Sequence, residues 1–260
     1  CWKFIKDMNI GIIGIGVVGS AIQEGFERLE HNVKVHDINL KTTINDVLDT
    51  ELLYLCLPTN SKEDGSCNTD IIIEVLTTLT KLKYSGTVAV KSTIVPGTYD
   101  KLIKVFDKEN LCLVPEFLRE KYAVVDFIWN HDVLVIGSES SNVIDLVVKS
   151  HGHYPKEVKV VTPYECEFVK YFSNSFKAYK TVFANSFGKL CDKYNVNYSN
   201  VLDVYRAEAV KETAYLKYFK QGFGGMCLPK DVKAINKIAE DTNIDTFNFI
   251  IEENKKFNEN

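Results

Sequence analysis

Asn9-Ile10-Gly11-Ile12-Ile13-Gly14-Ile15-Gly16-Val17-Val18-Gly19 decides how the first half of this chain folds. An apolar run of strand length meets three glycines spaced GxGxxG, and a helical pattern, Val17–Leu29, follows. Gly14 permits a tight turn because glycine takes backbone conformations closed to other residues. Gly16 lets a pyrophosphate approach the backbone, and Gly19 lets the helix pack on the strand. The helix N-terminus, with Val17 and Val18 in its first turn, offers N–H groups to an anion. The spacing alone is weak. Here a strand precedes it, a helix follows, and Asp37 ends the next strand. An acidic residue there accepts hydrogen bonds from ribose hydroxyls and repels a 2′-phosphate, so the segment reads as a site for NAD rather than NADP.

Further apolar runs at Val33–Asp37, Leu52–Leu57, Thr87–Lys91, Leu111–Val114 and Val133–Ile136 extend the pattern begun by Asn9–Ile15. Helical stretches such as Thr69–Leu82 and Gly97–Asp107 fall between most of them. This alternation predicts an α/β fold, a Rossmann-type doubly wound parallel sheet covered on both faces. Glu157–Val161 adds a closing strand before Pro163. From Tyr164 to about Tyr194 the pattern becomes one long helix. Phe172, Phe176, Tyr179, Phe183, Phe187 and Leu190 recur on it every three or four residues, which predicts core packing or a helix–helix interface. The expected domains are therefore 8–163 and 164–260, the second all-helical with a long central helix. The tail Glu252–Asn260 is polar and expected to fray.

The chain has 260 residues, 45% hydrophobic and 25% charged, with net charge −4, ordinary for a globular protein and without a global pull toward nucleic acid or anionic membrane. No apolar run reaches transmembrane length and no secretory signal is evident. Met8 reads as a natural start, and Cys1–Asp7 as a leader without a role in the fold. The 7 cysteines are odd in number and lack a CxxC pair. Cys56 and Cys112 lie in strand-like runs, so the usage suggests buried thiols in a reducing, cytoplasmic compartment and neither a disulfide framework nor a metal site. Arg28, Arg119 and Arg206 are the only arginines, too few for several bidentate phosphate clamps.

One segment carries chemistry of its own: Gly222-Phe223-Gly224-Gly225-Met226-Cys227-Leu228-Pro229-Lys230-Asp231. Proline fits the first turn of a helix, so Pro229 sets Cys227 at or just before a helix start. The partial positive charge there favours thiolate over thiol. Asp231 follows one turn later on the same side. Gly224 and Gly225 leave room for a ligand to reach the backbone.

With both ends in place, the chain resembles the UDP-glucose/GDP-mannose dehydrogenase family from Met8 to about Ala239. The resemblance rests on Leu57-Pro58-Thr59 with Glu63-Asp64-Gly65-Ser66, on Lys91-Ser92-Thr93-Ile94-Val95-Pro96-Gly97-Thr98, and on Pro115-Glu116-Phe117-Leu118-Arg119-Glu120. It is completed by Glu167-Phe168-Val169-Lys170-Tyr171-Phe172-Ser173-Asn174 and by the cysteine segment, all in family order. It implies oxidation of the C6 alcohol of a nucleotide sugar, a UDP-sugar above all, to the carboxylate with two NAD. It implies Cys227 as nucleophile, Lys170 and Asn174 as stabilisers of substrate oxygen, and Asp231 and Thr93 in water binding or proton transfer. Glu120 would serve near the nicotinamide, and Glu116, Gly224 and Gly225 would face substrate. Pro58, Thr59, Ser92, Thr93 and Glu120 would join the NAD site, and the long helix would pack on its copy in a homodimer. Taken singly, Lys170 is a solvated helix lysine, Glu116 and Glu120 are loop charges, and Thr93 ends a strand.

The family also carries a third, nucleotide-gripping domain, for which the roughly 20 residues after the cysteine helix are too few. The segment from Asp37 to Leu52 is short for the family's helix and loop. Three readings stay open: a family enzyme whose grip is supplied by another chain or lost by truncation; a compact dehydrogenase on a smaller or differently held substrate; and a noncatalytic NAD-binding oligomeric scaffold.

Overall fold

Strand alternation sorts the apolar side chains of the first half onto two faces. In the computed structural model, which describes residues 7–209, 215–216, 221–242 and 245–258, contacts divide the chain into two compact units. One is 1–59 with 68–170, the other 60–67 with 171–260. Residues 1–6, most of the expected leader, lie outside the described residues. Met8 itself is buried, and its N–H donates to His31 Nδ1 at 3.3 Å.

The first unit follows the order β1 (Asn9–Ile13), α1 (Val17–Arg28), β2 (Asn32–His36), β3 (Leu52–Leu55), α2 (Asp70–Lys81), β4 (Thr87–Val90) and α3 (Tyr99–Leu102). It continues with β5 (Leu111–Leu113), α4 (Ala123–Ile128), β6 (Val133–Gly137), α5 (Ser141–His151) and β7 (Glu157–Val161). These strands form one sheet in the order β2-β1-β3-β4-β5-β6-β7. Leu53, Leu55, Val88 and Val90 point to one face and meet Ile72, Leu76 and Leu79 of α2. Ile10, Ile12, Leu52 and Tyr54 point to the other and meet Ile22, Phe26, Phe127 and Val147. Side chains alternate along a strand, and parallel strands bury both sets.

The order reverses at β1, which pairs with β2 on one side and β3 on the other. The crevice beyond the carboxyl ends of β1 and β3 is therefore where a doubly wound sheet takes its ligand.

Two expectations need correction. The sheet is not wholly parallel: β5 and β6 pair antiparallel at Leu113↔Gly137. Apolar runs mark strands without giving their direction, and three-residue β5 meets β6 at this one register pair. Gly97–Asp107 is not one helix. Gly97 has φ +86°, so α3 starts only at Tyr99 and ends at Leu102. The Asp37–Leu52 connection, short as its sequence indicates, holds a 3-10 turn, Ile44–Val47, and no α-helix.

The second unit holds most of α6 (Pro163–Lys193), then α7 (Tyr198–Ala209), α8 (Leu228–Ala239) and α9 (Thr246–Lys255). Ala178 and Val182 of α6, Phe223, Val232 of α8 and Ile250 of α9 make its core. The division falls at residue 170 rather than 163, because the first two turns of α6 bind the sheet unit. The expected fraying of the tail does not reach Phe257, which is 5% exposed. The aromatic stripe is not core within this chain: Phe172, Phe176, Phe183 and Phe187 are exposed, with Phe172–Phe176 and Phe183–Phe187 ring pairs along the helix. No helix among the described residues is long and apolar enough to cross a membrane.

Candidate active site

The turn after β1 is built as its glycines demand. Gly14 has φ +94°, and a Cβ on it would lie 2.5 Å from the Cys56 carbonyl oxygen at the end of β3. A Cβ on Gly19 would lie 1.9 Å from the Gly14 carbonyl oxygen, so α1 can sit this close only on glycine. Gly16, the N-cap of α1, is different: a Cβ there would meet nothing within 4 Å. Its backbone borders open space where the first N–H groups of α1, including those of Val17 and Val18, have no intrahelical acceptor.

Asp37 stands beside this turn. Its Oδ1 accepts from Asn39 N–H at 2.8 Å, and its Oδ2 accepts from Ile15 N–H at 2.8 Å. The Asn39 and Ile15 N–H bonds hold its carboxyl below the usual range, so it is an anion with acceptor capacity left on Oδ2. Open space over a helix N-terminus, with a fixed carboxylate alongside, fits a dinucleotide's pyrophosphate and ribose.

Two loops at the ends of β3 and β4 are tied together. Ser92 Oγ accepts from Leu57 N–H at 2.8 Å, and Thr59 Oγ1 donates to the Thr93 carbonyl at 2.7 Å. Pro58 is exposed between them. The first turns of α6 anchor the neighbouring loops. Glu167, 3% exposed, accepts from Gly97 N–H at 2.8 Å and Tyr99 N–H at 2.6 Å. Burial pushes its carboxyl up despite those bonds. Lys170, 6% exposed, is no solvated helix lysine. Its Nζ donates to the Glu116 carbonyl at 2.6 Å and to Glu116 Oε1 at 3.0 Å, while Glu116 Oε2 accepts from Leu118 N–H at 2.6 Å. Ser92, Thr93, Glu167 and Lys170 border a small cavity of about 20 Å³. Glu120 is exposed at the start of a 3-10 turn, Glu120–Tyr122.

The second unit holds the remaining candidates. Cys227 is the N-cap of α8 and Pro229 lies in its first turn, as the sequence predicts. The thiol-bearing residue is exposed, and its carbonyl accepts from Asp231 N–H at 2.9 Å. Asp231 is fully buried and its Oδ2 accepts from Asn174 Nδ2 at 2.5 Å. Lys230 Nζ lies 3.2 Å from Asp231 Oδ1 as an ion pair, but Oδ1 receives no aligned hydrogen bond. Gly225 has φ +79°, and a Cβ on either Gly224 or Gly225 would meet nothing within 4 Å. Burial pushes the thiols of Cys56 and Cys166 up to about 12 and that of Cys112 higher.

Sequence reasoning gave no role to Glu167, although a glutamate three residues before Lys170 shares its helix face. It also passed over Asn185 and Asn254, which bind the backbone of the cysteine segment at Gln221 and Phe223.

Residues 39–153 match the UDP-glucose/GDP-mannose dehydrogenase family, NAD binding domain, and residues 164–260 match the same family's central domain. The chain belongs to the UDP-glucose/GDP-mannose dehydrogenase family. Its first unit thus carries the family's NAD-binding domain. UDP-glucose 6-dehydrogenase AglM of Haloferax volcanii is 29% identical over 280 residues, covering 88% of this chain and 64% of that protein. Putative UDP-glucose 6-dehydrogenase YtcA of Bacillus subtilis is 31% identical over 209 residues, covering 75% of this chain and 48% of that one. A UDP-glucose dehydrogenase structure from Pyrobaculum islandicum superposes with TM-score 0.86 at 24% identity, covering 97% of this chain and 68% of that one. The chain thus spans under two thirds of the length of the curated relatives it matches.

Proposed function

We propose that this chain is the NAD-binding and cysteine-bearing part of a nucleotide-sugar 6-dehydrogenase, which takes the C6 alcohol of a UDP-sugar to the carboxylate. The observation that carries the reading is the start of α8: an exposed thiol at the N-cap, and one turn on a buried aspartate with an oxygen outside any hydrogen bond. The two family matches and relatives named UDP-glucose 6-dehydrogenase support it. Overall the alcohol gives up two hydrides and takes up one water, releasing the carboxylate and three protons.

NAD, when bound, accepts the hydrides. Gly14, Gly16, Gly19 and the α1 start would hold its pyrophosphate, Asp37 its ribose, and Pro58, Thr59, Ser92 and Thr93 the segment nearer the nicotinamide. Cys227 Sγ adds to the aldehyde carbonyl, forming a C–S bond and a thiohemiacetal. Its oxidation leaves a thioester, whose C–S bond water then breaks to return the thiol. An ammonium has three donors, and Lys170 spends two on Glu116, which leaves one for developing oxyanion charge. Asn174 keeps one amide hydrogen beyond its bond to Asp231 for the same task. Asp231 Oδ1 has the capacity to take a proton, and Thr93 is suited to hold a water. The exposed Glu120 is the general base for hydrolysis. Glu116 orients Lys170, and the open backbone at Gly224 and Gly225 admits the sugar.

The exposed stripe Phe172, Phe176, Tyr179, Phe183, Phe187 and Leu190 is the homodimer face of α6, since so large an apolar patch favours a partner. The nucleotide is gripped by a further domain, from the same or another chain. The cytoplasm suits the six described cysteines, none of them in a disulfide. A screen of UDP-glucose, GDP-mannose and N-acetyl UDP-sugars tests the reading by NADH absorbance. NADH formation with one of them is expected. None with any, while calorimetry still shows NAD binding, would favour the scaffold.

A further inference from the structure

Cys227 follows three exposed residues, Gly224, Gly225 and Met226, and a Cβ on either glycine would touch nothing within 4 Å. Such a stretch has wide conformational freedom and does not fix its own course. Downstream, Cys227 is held by the start of α8 through the Asp231 N–H bond to its carbonyl at 2.9 Å. Upstream, the first residue held by hydrogen bonds among the described residues is Phe223. Its ring is buried with Ala178, Val182, Val232 and Ile250. Its backbone is held from α9: Phe223 N–H donates to Asn254 Oδ1 at 2.8 Å, and Asn254 Nδ2 donates to the Phe223 carbonyl at 3.0 Å. A side-chain amide that both accepts from and donates to one residue mimics a strand neighbour. It fixes where the backbone lies and how it is turned, which a ring in an apolar pocket does not.

The preceding residue makes room for this contact. A Cβ on Gly222 would lie 2.6 Å from Asn254 Oδ1 and 2.9 Å from the Asn254 backbone oxygen, so α9 closes on this segment only because residue 222 is glycine. Asn185 Nδ2 donates to the Gln221 carbonyl at 3.0 Å and anchors the next residue back. Asn254 itself is 8% exposed, on the last full turn of α9.

We propose that Asn254 is a positioning residue for the Cys227 thiol, acting through the Phe223 backbone. The proposal deepens the function proposed above and rests on it in taking Cys227 as the nucleophile. Asn254→Asp keeps the size and the acceptor for Phe223 N–H but sets a second acceptor against the Phe223 carbonyl. Asn254→Ala removes both bonds. Ile250→Val, on the same helix and in the same core, trims packing without touching either bond.

The test measures iodoacetamide alkylation of Cys227 in the full chain across pH, read from the mass of its tryptic peptide. Both Asn254 variants should change the rate several-fold and shift its pH profile, while Ile250→Val should leave both at the wild-type values. With an active nucleotide sugar, kcat should fall about tenfold or more with KM for NAD held, as expected when a nucleophile is misplaced. Alkylation needs no substrate. A chain that oxidises no nucleotide sugar yet shows the alkylation change loses the functional reading and keeps the positioning role. Wild-type alkylation in both folded Asn254 variants would overturn the proposal. Should neither variant fold, hydrogen exchange of the unmutated chain decides: Phe223 N–H should be protected, and exchange as fast as that of Gly224 and Gly225 would overturn it.

Discussion

Lys170→Met separates charge from bulk at the centre of the first unit's candidate site. Methionine keeps the aliphatic stem but removes the ammonium that bonds Glu116 twice, at 2.6 and 3.0 Å. The Lys170 and Glu116 side chains are 8% and 11% exposed, so the pair is out of reach of most solvent screening. What remains is a buried carboxylate holding the Leu118 N–H. Breaking one side of a buried pair costs about 3–5 kcal/mol. Each kcal/mol lowers Tm by about 2–4 °C at this unit's size, so its midpoint should fall by roughly 6–20 °C. Glu116→Gln on the Lys170→Met background removes the stranded charge and should recover part of the loss, giving a coupling of about 2 kcal/mol in the double-mutant cycle. Scanning calorimetry of the four chains measures both quantities. A Lys170→Met chain within about 1 kcal/mol of wild type, the range of an exposed pair, would refute the reasoning.

Gly19→Ala and Gly16→Ala should split. The first drives a Cβ to 1.9 Å from the Gly14 carbonyl and should lower Tm and abolish NAD binding, whereas the second meets nothing within 4 Å and should keep Tm while weakening NAD in calorimetry. Acid should destabilise the first unit. Burial lowers His131 to about 4 and His151 well below its usual value, so the native state holds fewer protons than the unfolded chain below pH 6.5. That stabilisation is whole above 6.5 and lost toward pH 4, at about 1.4 kcal/mol per pH unit for each extra proton, and His131→Gln should flatten the slope of stability against pH. Phe176→Asp with Phe183→Asp should convert a dimer to monomer in analytical ultracentrifugation, and an unchanged sedimentation coefficient would remove the stripe from the dimer face.

The parts of the fold legible in the sequence are those set by near neighbours. The glycine turn and α1 follow from eleven consecutive residues, and the Cys227–Pro229 helix start from three. The central strands show as apolar runs because they are buried on both faces, whereas the edge strands β2 (NVKVH) and β7 (EVKVV), more exposed, show only as alternation. The antiparallel β5–β6 pair was hidden because an apolar run marks a strand without giving its direction. The stripe on α6 was visible as spacing, but spacing does not say whether a face is covered. Glu167 and Asn254 were missed for a common reason. Each binds backbone that lies far off in sequence, Glu167 at Gly97 and Tyr99, Asn254 at Phe223. A lone buried carboxylate or amide leaves no pattern along the chain.

The most direct test of the account is the number of NADH formed per nucleotide sugar consumed by the full chain, with the product identified by mass. A cysteine-bound path to the acid predicts two NADH and a carboxylate, with acid formation lost in Cys227→Ser while NAD still binds. One NADH per sugar ending at the aldehyde, or full acid formation by Cys227→Ser, would contradict it.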